Sequence, residues 1–238
     1  MKACLAVVAG FLFSYRLCDI VSPMKRNFKA VIFDMDGVIT DTMPCHFNAW
    51  KTIFANSGVH VTHEDIYKRE GQKGIESVRE IFGEKGVPFT SELAKGLLKD
   101  KEELFKNIFK LKFIQGSRSF IKSLSRRGYR LALVTGTSRH EAERLLPKEL
   151  WNRFEVTVCG CDVQNGKPHP EPYLRALKHL NVKASEALVI ENAPFGIASA
   201  KAAGLKCMAL ETSLPKKYLK QADKVFSSYK GLKNEIKA

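Results

Sequence analysis

The residues best placed to do chemistry are Asp34-Met35-Asp36-Gly37-Val38-Ile39-Thr40-Asp41-Thr42, directly after the apolar run Lys29-Ala30-Val31-Ile32-Phe33. Side chains alternate along an extended strand, so carboxylates spaced i, i+2 project the same way where the strand gives out into a loop. In parallel α/β sheets, ligands collect beyond the carboxyl ends of strands. A carboxylate there can attack phosphorus and form an aspartyl-phosphate. A second can handle the proton. Both offer hard oxygens to Mg²⁺, which favours one or two carboxylates together with substrate phosphate and water. Gly37 lets the chain turn sharply past them. Taken alone the spacing is common, and the same two acids could simply end a strand and begin a turn.

Three further segments narrow the choice. Leu131-Ala132-Leu133-Val134 runs into Thr135-Gly136-Thr137-Ser138, hydroxyls and N–H groups that suit a phosphate at a strand-to-helix junction. Gly166-Lys167-Pro168 supplies a cation for a phosphate or for the nucleophile. Ala187-Leu188-Val189-Ile190 leads into Glu191-Asn192, oxygen donors at a strand end that suit Mg²⁺. Gly166-Lys167 is not a nucleotide P-loop, because Gly160 lies one residue too far away and Pro168 replaces the required hydroxyl.

In this order and spacing the four segments resemble those of the haloacid dehalogenase superfamily of phosphotransferases, over about residues 29–210. The resemblance implies Asp34 as nucleophile, Asp36 as general acid/base, and Thr135 as the phosphate-binding hydroxyl with Gly136 and Thr137 beside it. It also implies Lys167 as the lysine linking nucleophile and phosphate. Glu191 and Asn192 stand where acidic metal ligands normally lie, so the implied Mg²⁺ ligands are Asp34, Asp36, Glu191 and Asn192. The last segment departs from the family's paired acids. The amide oxygen of Asn192 can ligate Mg²⁺ without contributing charge, or the side chain can hydrogen-bond a ligand instead.

Strand-like runs near 29–34, 130–135, 155–159, 187–191 and 206–210, with helix-like stretches between the later ones, predict a parallel sheet covered on both faces. From Pro44 to Leu111 no convincing strand occurs. Helices are expected near 44–56, 62–69, 74–83 and 91–110, the first marked by His46, Ala49, Trp50, Ile53 and Phe54 at helical spacing. An insertion of that length is too long for a loop and resembles the four-helix cap of the β-phosphoglucomutase-like branch. The expected fold class is therefore α/β, a Rossmann-like doubly wound parallel sheet core with a helical cap inserted after the first strand. The expected divisions are an extension over 1–23, a core from 24–42 and 113–238, and a cap over 43–112. Such a cap can exclude water and select the substrate. Asp41 and Thr42 are expected to cap its first helix. His46, on that helix, is either a proton carrier or phosphate partner, or a plain polar residue.

Arg69-Glu70-Gly71-Gln72-Lys73-Gly74 reads as a glycine-bearing turn inside the cap. In mutase-like relatives the matching loop carries a basic residue before its first glycine and an arginine soon after, which grip the far phosphate of a sugar bisphosphate. Here Glu70 and Gly74 stand in those places. A carboxylate repels a distal phosphate unless Mg²⁺ bridges them, so Glu70 is either a substrate-binding residue through such a bridge or a solvated helix end. Together, Met43-Pro44, Glu70-Gly71 and Glu191-Asn192-Ala193-Pro194 resemble a pyrophosphatase-type offshoot of the branch.

Composition bounds the rest. A chain of 238 residues with 45% apolar and 27% charged content is ordinary for a globular protein with one sizeable core and a smaller lobe. The formal net charge of +14 is not ordinary, and +11 of it falls in residues 113–238. No dense basic run is interleaved with aromatics, so we read a solvated lysine-rich surface that draws in small anions, and expect no nucleic-acid partner. Six cysteines form no evident disulfide framework. Residues 3–13 are apolar like a signal-peptide core but too short to span a bilayer. We favour instead an over-extended reading frame, since Met24-Lys25-Arg26-Asn27 begins a basic stretch right before the first strand. We expect a cytoplasmic monomer with no membrane partner. The expected activity is Mg²⁺-dependent hydrolysis of a small phosphate compound, inorganic pyrophosphate foremost, through an aspartyl-phosphate. The alternative is a sugar-phosphate phosphatase or β-phosphoglucomutase-like isomerase, and beyond it a non-enzymatic binding protein.

Overall fold

The computed structural model describes residues 28–236. The expected extension over 1–23, its apolar segment and the alternative start at Met24 lie outside them. Six strands, β1 (Ala30–Phe33), β2 (Arg130–Val134), β3 (Val156–Val158), β4 (Ala187–Glu191), β5 (Lys206–Leu210) and β6 (Lys224–Phe226), form one sheet in the order β3-β2-β1-β4-β5-β6. All five pairings are parallel. A parallel strand buried on both faces needs apolar side chains at successive positions, and β1 is Ala-Val-Ile-Phe with every residue fully buried. Val31 and Phe33 face one layer of helices, α5 (Ser117–Arg126), α6 (Arg139–Leu145), α7 (Lys148–Trp151) and α10 (Tyr229–Ile236). Ala30 and Ile32 face the other, α8 (Glu171–Leu180) and α9 (Pro194–Ala202). The sheet is therefore doubly wound, as the alternating pattern predicts. Strand β6 was not anticipated; three residues at a sheet edge, with Lys224 exposed, leave no periodic signal.

Strand β1 lies between β2 and β4, with Phe33 level with Leu133 on one side and Ile190 on the other. The segments after these three strands therefore emerge side by side at one edge of the sheet, where chain order reverses. That crevice is where open α/β sheets bind ligands.

Between β1 and α5 the chain forms four helices, α1 (Met43–Asn56), α2 (His63–Tyr67), α3 (Gly74–Glu84) and α4 (Ser91–Ile108). Their starts are legible. Thr62 and Asp65 form a reciprocal capping box on α2, and Thr90 caps α4. The helices share an apolar cluster of their own, including Phe47, Trp50, Phe54, Val78 and Phe82, which also takes in Leu214 from the core. No described helix is long and apolar enough to cross a membrane.

Phe33 meets Phe120 and Phe154 edge-on at centroid distances of 6.1 and 6.2 Å, directly before Asp34. Truncating it leaves a cavity under the sheet's central strand. Phe33→Ala should cost about 3–5 kcal/mol of unfolding free energy, measured by urea denaturation.

Candidate active site

The crevice is organised around one buried ammonium. Lys167 Nζ donates to Asp34 Oδ1 at 2.5 Å, to Glu191 Oε1 at 2.7 Å and to the Val134 carbonyl at 3.3 Å. Lys167, Asp34 and Glu191 are all but inaccessible to solvent. Burial alone would lower the lysine's pKa, but Asp34 and Glu191 outweigh it and hold the value above the ordinary one. Asp34 is placed by the backbone, its amide N–H donating to the Ile190 carbonyl at 3.0 Å as a continuation of the sheet.

Glu191 differs from its expected part as a metal ligand. Its Oε1 accepts from Lys167 and from Tyr173 Oη at 2.8 Å, and its Oε2 accepts the amides of Asn192 and Ala193 at 2.9 and 3.2 Å. Both oxygens are engaged, so Glu191 holds the lysine rather than offering a free lone pair.

Asp36 is likewise occupied. Its Oδ1 accepts from Thr42 Oγ1 and lies 3.4 Å from His46 Nε2, while its Oδ2 accepts from Thr137 Oγ1 at 3.1 Å. Burial pushes its pKa up, but the bonds from His46, Thr42 and Thr137 outweigh burial and hold the carboxyl below its ordinary value. Both oxygens of this side chain, expected to ligate Mg²⁺, are thus engaged by neighbouring side chains. Thr42, expected to cap α1, makes no side-chain capping bond there. Pro44 in the first helical turn has no N–H to satisfy, which leaves the Thr42 hydroxyl for Asp36. His46 stacks on Phe105 at 4.3 Å and faces Asp36, and burial, then Lys101, keeps its pKa below the ordinary value.

Apart from Glu141 Oε1, three buried side-chain oxygens among the described residues take no hydrogen bond: Asp34 Oδ2, Glu70 Oε1 and Asn192 Oδ1. Asn192 Nδ2 donates to Glu70 Oε2 at 2.9 Å and to Ser213 Oγ at 2.8 Å, joining cap to core. Glu70 is thus no solvated helix end. Burial, then Asp34 and Asp36, push its carboxyl well above the ordinary value, and burial does the same to Asp34 against the pull of Lys167. Among the described residues no three His, Cys, Asp or Glu side chains gather around one point. The free acceptors are instead two carboxylates and an amide. Hard, unsatisfied oxygens in a site oversupplied with negative charge fit a divalent cation such as Mg²⁺.

Two glycines are required by contact. Gly37 has φ +79°, and a Cβ there would lie 2.1 Å from Asn192 Nδ2. A Cβ on Gly136 would lie 2.8 Å from the Gly71 carbonyl of the cap loop. Cap and core enclose a cavity of about 150 Å³ lined by Asp34, Asp36, Gly136 and Thr137 below and by cap residues including Trp50 and Glu70 above. Thr135 is buried, its Oγ1 accepting the Thr137 amide at 3.1 Å, and it does not itself line the cavity.

Sequence reasoning missed Lys101 and Tyr173. Both sit on the buried stripes of their helices, Lys101 with Ala94, Leu97 and Phe105 on α4 and Tyr173 with Ala176, Leu177 and Leu180 on α8. A lysine at core spacing in a lysine-rich helix was the available signal. Lys101 lines the cavity, lies 4.8 Å from the Phe105 ring centre, and has its pKa lowered by burial. Arg69, by contrast, is neutralised within the cap by Glu80 at 3.0 Å and by Glu84.

A haloacid dehalogenase-like hydrolase family model matches residues 31–210. A phosphorylated carbohydrates phosphatase of Thermotoga maritima is 37% identical over 183 residues, covering 75% of this chain and 82% of that protein. (DL)-glycerol-3-phosphatase 1 of Arabidopsis thaliana is 30% identical, covering 89% and 74%. Among solved structures, CbbY from Rhodobacter sphaeroides in complex with phosphate superposes with a TM-score of 0.72 at 25% identity, over 86% of this chain and 96% of that one. The chain belongs to the haloacid dehalogenase-like hydrolase family.

The lysine's place among carboxylates sets a stability test. Lys167→Met leaves Asp34 and Glu191 buried without their cation. It should cost about 3–5 kcal/mol in metal-free protein, read from urea unfolding.

Proposed function

We propose that this haloacid dehalogenase-type phosphatase hydrolyses small phosphorylated sugars or polyols through an aspartyl-phosphate on Asp34. The observation that carries the reading is the state of Asp34. One oxygen is bonded to Lys167 at 2.5 Å, the other is buried with no hydrogen bond, and the residue lines the cavity under the cap. A carboxylate held by one oxygen keeps the other free to attack phosphorus.

In this reading residues 43–112 act as the cap on a core of 24–42 and 113–238. Asp36 protonates the leaving oxygen and then takes a proton from the water that opens the aspartyl-phosphate. Thr42, His46 and Thr137 fix its carboxylate for both transfers. Lys167 and the Gly136 N–H receive the phosphoryl oxygens, while Thr135, expected to bind phosphate, shapes the turn by accepting the Thr137 amide. Glu191 and Tyr173 orient Lys167. Asp34, Glu70 and Asn192 would hold Mg²⁺, which when bound supplies positive charge to the transferring phosphoryl group.

The sequence put pyrophosphate first. The relatives described above act, by name, on phosphorylated carbohydrates and glycerol 3-phosphate, which supports the organic esters instead. A mutase reading is weaker. Gly74 stands where mutase-like relatives carry a phosphate-gripping arginine, and a glycine has no side chain to grip with.

A phosphate-release screen with glycerol 3-phosphate, hexose phosphates and pyrophosphate tests the substrate class. The organic esters should be hydrolysed with the higher kcat/KM, and a preference for pyrophosphate would overturn the choice. Asp34→Asn should lower release about a thousandfold or more, and retained activity would remove Asp34 as nucleophile. The metal assignment has a separate readout. Mg²⁺ added to chelator-treated protein should raise Tm, and Glu70→Gln or Asn192→Leu should shrink that rise.

A further inference from the structure

Of the chamber's carboxylates that the chemistry above leaves unused, Glu141 is the one with a buried oxygen lacking a hydrogen bond. Glu141 stands three residues after Ser138 at the start of α6, and Ser-x-x-Glu is the pattern of a capping box. Half the box forms, the Ser138 hydroxyl accepting the Glu141 amide N–H at 3.4 Å. The reciprocal bond, from the Ser138 amide to the Glu141 carboxylate, is not made. Glu141 lines the cavity instead, with Oε1 buried and no hydrogen-bond partner.

Lys101 lines the same cavity from the cap, and no ion pair joins its ammonium to Glu141 among the described residues. Yet the two feel each other, Glu141 being the foremost carboxylate acting on Lys101 and also acting on His46. A partly desolvated acceptor and donor, near but not touching, call for a neutral group that can serve both. Lys101 disfavours an ammonium there, and Glu141 disfavours a second phosphate or carboxylate. A hydroxyl satisfies both.

We propose that Glu141 is a specificity residue. Its carboxylate accepts a hydrogen bond from a hydroxyl on the leaving group of a phosphorylated polyol and repels a second anionic group on that substrate. The proposal rests on the phosphatase reading above.

Steady-state kinetics on three phosphate esters test it: glycerol 3-phosphate, p-nitrophenyl phosphate, which has no hydroxyl, and 2-phosphoglycolate, which carries a carboxylate. Glu141→Ala should lower kcat/KM for glycerol 3-phosphate, relative to p-nitrophenyl phosphate, by about tenfold or more and mainly through KM. Glu141→Gln, the same shape without the charge, should raise the relative kcat/KM for 2-phosphoglycolate. A general loss of structure would lower all three together and leave the ratios where they were. Ratios within about twofold of wild type in both variants would overturn the role of Glu141 while leaving the phosphatase intact. Wild-type protein releasing phosphate from none of the three esters would overturn both.

Discussion

A lysine ammonium cannot be buried in a protein interior without anions to receive it. In this molecule Lys167 is buried at the carboxyl edge of the sheet, and its partners are Asp34, Glu191 and a β2 carbonyl. That one requirement draws together the ends of β1, β2 and β4 and the loop before α8. Tyr173 and the amides of Asn192 and Ala193 then fix Glu191, so the lysine is held from behind while its front face holds Asp34. The orientation of Asp34 is thus a consequence of how a buried charge is satisfied.

The charge balance does not close with lysine alone. Asp34, Asp36, Glu70 and Glu191 share a buried site, and burial drives both Asp34 and Glu70 toward their protonated forms, helped at Asp34 by Glu191 and Asp36 and at Glu70 by Asp34 and Asp36. Asp36 escapes that fate because three donors surround it. Two carboxyl groups two residues apart therefore sit in opposite electrostatic states, Asp36 held ionised by its donors and Asp34 in need of further positive charge to stay ionised. The oxygens left without donors mark where further positive charge belongs.

The cap completes the site rather than merely covering it. Glu70 reaches Asn192, Gly71 presses on Gly136, and Lys73 Nζ donates to the Val163 and Gln164 carbonyls at 2.8 and 2.6 Å, beside the loop that carries Lys167. His46 and Lys101 come from the cap and act on Asp36, which belongs to the core. Cap position and the protonation state of the site are therefore coupled through direct contacts.

From the residues alone, the sheet, the helical insertion and the four chemistry-bearing segments were legible, because each rests on local patterning: apolar runs ending in polar loops, helical stripes and turn residues. Roles that depend on which atom meets which were not. Glu191 reads as a metal ligand by position, but its oxygens are consumed by Lys167, Tyr173 and two amides. Thr42 reads as a helix cap, but its hydroxyl goes to Asp36. Lys101 and Glu141 look like surface charges until folding brings them to line one chamber. Asp34 and Lys167 are 133 residues apart and Glu70 and Asn192 are 122 apart. Local propensity carries no information across such separations. Only the packing of sheet, loops and cap decides which donors and acceptors are satisfied and which are left facing the cavity.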